Sequence, residues 1–307
     1  MFEEEYQSLL TSNNPLLADV CANLYSHKGK RLRPILTLLC AQMCNECNER
    51  TITAATALEL IHAASLLHDD VVDMSDKRRG NPSVNAQWNN KIAILAGDYL
   101  LTKAMQAIAA LRNQKIINVI LNMAQTLASG EVSELHYNSS MWITEKQYLS
   151  VIRQKTATLF AACAETGALS VGATLRQQTA LKTYGENLGI CFQMKDDELD
   201  YSDIEEIGKP RMNDIRDGKA TLPLLVALKR APRAEAEEIK SLCEQPFTNR
   251  TEQEVKSFVL RYEGLRYARQ KMEEYRAKAI DALGILRDSV TKDALLDLLN
   301  YSINRLY

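Results

Sequence analysis

Residues 51–73 read Thr-Ile-Thr-Ala-Ala-Thr-Ala-Leu-Glu-Leu-Ile-His-Ala-Ala-Ser-Leu-Leu-His-Asp-Asp-Val-Val-Asp. The stretch is long and apolar and holds neither Gly nor Pro, so it predicts a helix, and that helix ends in three aspartates. Residues 195–200, Lys-Asp-Asp-Glu-Leu-Asp, close a second helical stretch in the same way. In both, the aspartates stand at i, i+1 and i+4: Asp69, Asp70 and Asp73, then Asp196, Asp197 and Asp200. On a helix Asp69 and Asp73 share a face one turn apart, as do Asp196 and Asp200. Asp is a poor helix former, like charges one turn apart repel by a few tenths of a kcal/mol, and the C-terminal pole of a helix disfavours anions. Capping needs one acid at most. The same costly spacing, met twice, asks for a compensating cation. Carboxylate ligands with positions left open suit Mg²⁺ shared with substrate phosphates. The alternative is a pair of solvated acidic helix ends, which fits either cluster alone better than it fits the repetition.

Outward from these segments the chain reads as helix almost throughout. Its 307 residues include only 12 Gly and 7 Pro, about half the usual share, which disfavours a strand-and-turn protein. Helices are expected near 34–44, 51–73, 89–111, 114–139, 144–171, 174–200, 218–230, 232–244, 251–262, 264–283 and 289–305. Polar loops are expected at 74–87, closed by Gly80 and Pro82, and at 201–217. No repeat or composition break divides the chain, so one all-α domain over 1–307, of about ten helices, is the simplest organisation.

Hydrophobic residues make up 46% and charged residues 25%, an ordinary globular balance. The net charge of −2 gives no basic surplus for nucleic acid or an anionic membrane surface. No run of about 18 uncharged apolar residues predicts a spanning helix. The most apolar stretch, 157–173, contains Glu165 and reads as a buried helix. The acidic start, Met-Phe-Glu-Glu-Glu-Tyr, lacks the layout of a signal peptide, and seven cysteines is an odd number. A cytoplasmic protein with reduced thiols is expected.

A metal site for a phosphate ester also needs cations. Lys30 and Arg33 stand at i, i+3 in Gly-Lys-Arg-Leu-Arg-Pro (29–34), Arg78 and Arg79 follow the first aspartate cluster, and Lys155, Lys209 and Lys219 lie in Lys-Thr and Gly-Lys pairs. Arg grips phosphate oxygens in two-pronged fashion, whereas Lys acts as a point charge. Singly, each is ordinary surface; beside acid clusters and helix ends they become candidate phosphate ligands. His62 falls on the stripe of Asp69 and Asp73, where it is either a core histidine or a phosphate donor. Gln193 faces Asp197 and Asp200 by the same spacing rule.

Together these blocks resemble the trans-isoprenyl diphosphate synthases of the long-chain, polyprenyl type. The resemblance runs from Gly29–Pro34 through His62–Asp73 with Arg78-Arg79-Gly80, and on to Ala96-Gly97-Asp98-Tyr99-Leu100-Leu101 and Lys155-Thr156-Ala157. It continues through Phe192–Asp200 to Gly208-Lys209-Pro210 and Gly218-Lys219-Ala220-Thr221-Leu222-Pro223. It implies an all-α bundle around a deep central cavity, packed as a homodimer, with the two aspartate motifs opposed at the cavity mouth. It implies Mg²⁺ held by Asp69, Asp70, Asp73, Asp196, Asp197 and Asp200, three ions per active site once substrate is bound. Lys30, Arg33, His62 and Arg79 would hold the diphosphate of isopentenyl diphosphate. Arg78, Lys155, Lys209 and Lys219 would contact an allylic diphosphate, and Thr156 and Gln193 would line the reacting region. The chain departs from the family at Lys28, where Gly is frequent, and at Met212, where Gly is also frequent. Neither replaces a charged ligand; both bear on loop conformation.

The implied reaction starts with loss of diphosphate from an allylic carbon, assisted by preplaced Mg²⁺ and cationic groups. The carbon cation needs a dry cavity. Isopentenyl diphosphate then attacks and a proton leaves; the resemblance implies that the departing diphosphate can accept it. Ile61, Ala64 and Ser65 precede Asp69 where short-chain synthases carry large aromatics, so a long-chain product of about six to ten isoprene units (about C30–C50) is expected. A shorter-chain synthase and a non-catalytic regulatory subunit are the alternatives within this fold, although such subunits usually lose one aspartate cluster. Outside it, Cys40, Cys44 and Cys47 have the spacing of a [4Fe–4S] radical enzyme, and His68-Asp69 weakly suggests a His/Asp phosphohydrolase. Neither explains both aspartate clusters.

Overall fold

Helix α1 (Phe2–Leu9) opens the chain, and α2 (Pro15–Ser26) starts where the Asn14 side chain accepts the backbone N–H groups of Leu16 and Leu17, with Pro15 at the first helical position. The computed structural model describes residues 1–27, 29–78, 80–138, 142–202 and 212–305. Among the described residues it is all-α apart from one two-residue ribbon. The chain forms two units, the first from Met1–Ala124, Phe160–Gly185 and Leu283–Leu295, the second from Gln125–Leu159, Glu186–Ala282 and Leu296–Tyr307.

In the first unit α3 (Leu32–Cys44) leads to α4 (Glu49–Val72). A capping box starts α4: the Asn48 side chain accepts the Thr51 N–H, and the Thr51 hydroxyl accepts the Asn48 N–H. Strands β1 (Lys77–Arg78) and β2 (Asn81–Pro82) pair antiparallel, and the short α5 (Val84–Gln87) precedes α6 (Asn90–Ala110). Helix α6 lies tightly on α4 at Gly97, where any Cβ would collide with the His68 ring. Leu36, Leu58, Leu60, Leu100 and Phe160 are all at most 1% exposed. Each such burial stabilises the fold by about 1.5–3 kcal/mol. Helix α7 (Gln114–Asn138) starts in this unit, and α9 (Thr158–Ser170) adds its residues from Phe160 onward.

In the second unit a Thr144–Gln147 capping box starts α8 (Glu145–Ile152), which runs into a π-helical turn (Arg153–Ala157). The expected helix over 144–171 is thus divided by one wider turn. Helix α10 (Leu175–Leu199) carries the second aspartate array. After it come α11 (Asn213–Arg216), α12 (Leu222–Arg230), α13 (Arg233–Cys243), α14 (Asn249–Arg261), α15 (Gly264–Leu283) and α16 (Val290–Asn304). Met212, Ile215, Leu224, Val255 and Phe258 form part of this unit's core.

Sixteen α-helices stand among the described residues, against the eleven segments expected as helix in a bundle of about ten. The excess is α1 and α2 before the first expected helix, the break at the π-turn, and two short helices, α5 and α11, within segments read as loops. Four-residue helices carry too little periodicity to be seen in sequence. Helix α6 is long and apolar enough to cross a membrane by length and composition, with mean hydropathy 1.2, but it carries Asp98 paired to His68.

Candidate active site

Both aspartate arrays end their helices as the spacing predicts. Asp69 and Asp70 lie in the last turn of α4 and Asp73 follows it; Asp196 and Asp197 end α10 and Asp200 follows it. Within each array the carboxylates have different surroundings. Asp70 is 3% exposed and accepts the Arg78 guanidinium, with Nε at 2.8 Å and Nη2 closer still. Asp69 and Asp73 are half-buried. The ribbon that turns the chain back after α4 brings Arg78 to Asp70, and Asn85 donates to the Asp70 carbonyl at 3.3 Å. His62, Asp70 and Arg78 line one cleft together with Gly29 and Arg31. Lys30 is exposed at the start of α3. Arg33 lies on the first turn of α3 with its guanidinium 5.0 Å above the Phe160 ring. Lys28, Arg79 and Lys209 lie outside the described residues.

Sequence reasoning missed what holds the α3 entry in place. Arg31 precedes α3 in a left-handed conformation, φ 55°. Its guanidinium stacks 4.2 Å over the Tyr6 ring and lies 2.7 Å from buried Glu59 on α4. Desolvated ion pairs of this kind fix geometry more than they add stability.

In the second unit Asp197 is 4% exposed and is held from two sides: Tyr148 OH donates to Oδ2 at 2.5 Å and Gln193 Nε2 donates to Oδ1 at 2.9 Å. Gln193 Oε1 in turn accepts Thr156 Oγ1 at 2.8 Å. The pairing of Gln193 with Asp197 is the helical stripe expected from sequence, whereas the Thr156–Gln193 bond joins segments 37 residues apart and is set by packing. Burial pushes the Asp197 carboxyl up to about 7, against the lowering pull of the Tyr148 and Gln193 donors. Asp200 accepts the backbone N–H groups of Asn213 at 2.9 Å and Asp214 at 3.2 Å, which ties α10 to α11. Asp196 is 42% exposed and pairs with Arg305.

Lys155 sits in the π-turn, 2.7 Å from Glu131 and 2.6 Å from Glu134 on α7, and Lys219 lies 3.6 Å from Glu134. Burial pulls the Lys155 ammonium down, but the Glu134 and Glu131 carboxylates outweigh it and hold it above lysine's ordinary range. A cleft collects Lys155, Thr156, Gln193, Asp197 and Lys219, walled by Ile143, Val151 and Ile152. Tyr148, Glu131, Glu134 and Arg305 carried no sequence signal beyond residue type. Their partners are set by packing.

At the Met212 departure the backbone takes φ 50°, the region that favours glycine, while the side chain is 1% exposed. Ile61 and Ala64 are buried in α4 and Ser65 is half-buried. The donor set at both helix ends is oxygen only, the ligand type of a hard divalent cation that keeps several waters, but among the described residues no three acidic, His or Cys side chains converge to hold an ion. The sulfur spacing does not form a cluster site. Cys40 is sealed in the core, Cys47 Sγ donates to the Leu38 carbonyl at 3.4 Å, and all seven cysteines are free. His68 is taken up by α6, with Nε2 3.3 Å from Asp98 and 3.2 Å from the Ile94 carbonyl.

A family model described as polyprenyl synthetase matches residues 14–260. The octaprenyl diphosphate synthase of Haemophilus influenzae is 38% identical over 299 residues, covering 97% of this chain and 91% of that protein. Among solved structures, a decaprenyl diphosphate synthase from Rhodobacter capsulatus is similar at TM-score 0.94 and 34% identity, over 100% of this chain and 95% of that one. A polyprenyl synthase from Caulobacter crescentus, complexed with calcium and isoprenyl diphosphate, is similar at TM-score 0.93 and 32% identity, over 100% and 94%.

Proposed function

The chain belongs to the polyprenyl synthetase family, and on that premise we propose how its residues divide the work of a prenyltransferase. The enzyme condenses isopentenyl diphosphate with an allylic diphosphate, head to tail, and makes long-chain trans-polyprenyl diphosphates. Residues 1–307 are read as one synthase domain. The observation that carries the division is the repeated aspartate array at the ends of α4 and α10, in which arginine compensates Asp70 and Asp196 while Asp69 and Asp73 stay partly accessible.

In this reading Asp69, Asp70 and Asp73 serve divalent cations, and so do Asp196, Asp197 and Asp200. Mg²⁺ is the proposed ion, three per active site, and when bound it would neutralise charge developing on the leaving diphosphate. Arg78, Lys155, Lys209 and Lys219 take the allylic diphosphate. Lys30, Arg33, His62 and Arg79 take that of isopentenyl diphosphate. The Thr156–Gln193 hydrogen bond orients both side chains beside the reacting carbon. Ile143, Val151 and Ile152 keep water from the carbon cation. Ile61, Ala64 and Ser65 stand where short-chain synthases carry large aromatics, and the small Ala64 and Ser65 leave the path of a long chain open.

A homodimer is proposed because α6 leaves Ile94 and Leu95 42% and 59% exposed, a costly apolar surface. Seven free thiols accord with the reducing cytoplasm.

The test is direct. Purified protein with Mg²⁺, farnesyl diphosphate and labelled isopentenyl diphosphate is expected to yield long-chain products. Asp69→Ala and Asp196→Ala are expected to cut turnover by orders of magnitude with the fold intact. Near-normal turnover in either variant, or no heat on titration with Mg²⁺ and pyrophosphate, refutes the metal role.

A further inference from the structure

Helix α7 meets the π-turn at Gly130. A Cβ on that residue would lie 2.8 Å from Gln154 Cβ and 3.0 Å from the Lys155 backbone nitrogen, so no larger side chain fits without displacing the turn. The next residues along this face of α7 are Glu131 and Glu134, one turn apart. The close approach at Gly130 lets both carboxylates reach the Lys155 ammonium, at 2.7 and 2.6 Å. The same Glu134 oxygen, Oε2, that accepts from Lys155 also lies 3.6 Å from Lys219 Nζ, on a segment 64 residues farther along the chain. One carboxylate oxygen therefore bounds the distance between the two lysine nitrogens.

We propose that Glu134 is a positioning residue of the allylic-diphosphate site, setting the separation of Lys155 and Lys219, with Glu131 fixing Lys155 from its second side. The proposal rests on the reading above that these two lysines contact the diphosphate. Lysine is a flexible point charge with three N–H donors. Two of those on Lys155 are committed to glutamates, which fixes the direction of the third. A donor aimed beforehand does not have to reorganise as charge builds on the leaving oxygens. The two carboxylates also offset the two ammonium charges, so the site gains order without a large excess of positive charge. The expected signature is in turnover rather than in affinity. Glu134 does not touch the diphosphate, and removing its negative charge does not weaken the attraction of an anion.

The experiment uses the full chain. Glu134→Ala is expected to lower kcat at saturating farnesyl diphosphate by about tenfold or more. Its affinity for inorganic pyrophosphate in the presence of Mg²⁺, read by calorimetry, is expected to stay within about threefold, and its melting temperature within about 2 °C. Glu134→Gln keeps an oxygen that accepts from both lysines and is expected to recover part of the turnover. Wild-type kcat in Glu134→Ala overturns the proposal. So does a loss of pyrophosphate affinity with kcat unchanged, or a loss of turnover in both variants that only follows a collapse of melting temperature. Lys155→Ala and Lys219→Ala separate this from the underlying assignment. If both bind pyrophosphate and turn over as the unaltered protein does, the lysine roles fail and the proposal fails with them. If both are impaired while Glu134→Ala is normal, only the positioning role fails.

Discussion

Arg305, just past the end of α16, places its Nη1 2.8 Å from Asp196 Oδ1 at the end of α10. The arginine is almost wholly buried along its side chain, with its guanidinium 4.0 Å over the Phe192 ring and Nη2 donating to the Phe192 carbonyl at 2.9 Å. A partly exposed carboxylate of the second array is thereby anchored by a residue 109 positions away. Arg305→Leu removes these hydrogen bonds and leaves the Phe192 carbonyl without this donor. Urea unfolding is expected to show a loss of about 1–3 kcal/mol. In the assay, the Mg²⁺ concentration for half-maximal turnover is expected to change, because Asp196 loses its anchor.

Asp197 makes stability depend on pH. Its folded-state value of about 7 lies above the ordinary 3.8, so the native state holds a proton that the unfolded chain has lost in this interval. The contribution of this group is therefore full below about pH 4 and is lost as pH rises toward 7. Urea titrations in EDTA across that range are expected to show the decline, and Asp197→Asn is expected to flatten it. Tyr148→Phe removes a donor that favours the carboxylate, so the decline is expected to extend to higher pH.

Met212 is held in a left-handed conformation inside a core. Met212→Gly relieves backbone strain of about 1 kcal/mol but empties a buried site whose loss costs about 2–5 kcal/mol. A net loss of stability is expected in denaturant titration, although glycine is frequent at this point in the family that the chain resembles.

Chain length is expected to respond to Ser65 and Ala64 differently. Ala64 is 2% exposed, so Ala64→Phe must displace its neighbours at a cost of about 1–3 kcal/mol. Ser65 is half-buried and its hydroxyl only returns to the His62 carbonyl at 3.0 Å. Ser65→Phe is expected to shorten the product with less loss of stability. Mass spectrometry of the products is the readout, and an unchanged length distribution in both variants counts against a ruler on α4.

The thiols are expected to be inert in the native protein. Burial pushes Cys163 and Cys191 up to about 12 and Cys44 up to about 11. At pH 8 the thiolate fraction of each is then at most about one in a thousand. A chromogenic disulfide is expected to react slowly with the folded chain and with all seven cysteines after denaturation.

The sequence by itself was enough for the all-α class, for both aspartate-ended helices, and for the Gln193–Asp197 stripe. These depend on short-range helical spacing, and a period of 3.6 residues is written in the order of side chains. Tertiary structure alone decided that Asp70 and Asp197 are the buried members of their arrays and which partner each carboxylate takes: Arg78 for Asp70, Tyr148 for Asp197, Arg305 for Asp196, and backbone N–H groups of α11 for Asp200. It alone paired Lys155 and Lys219 through Glu134, and held Met212 in the left-handed conformation that favours glycine. These contacts join residues far apart in the chain. No periodicity encodes them, because they form only when separate helices pack and desolvated charges must find partners within reach.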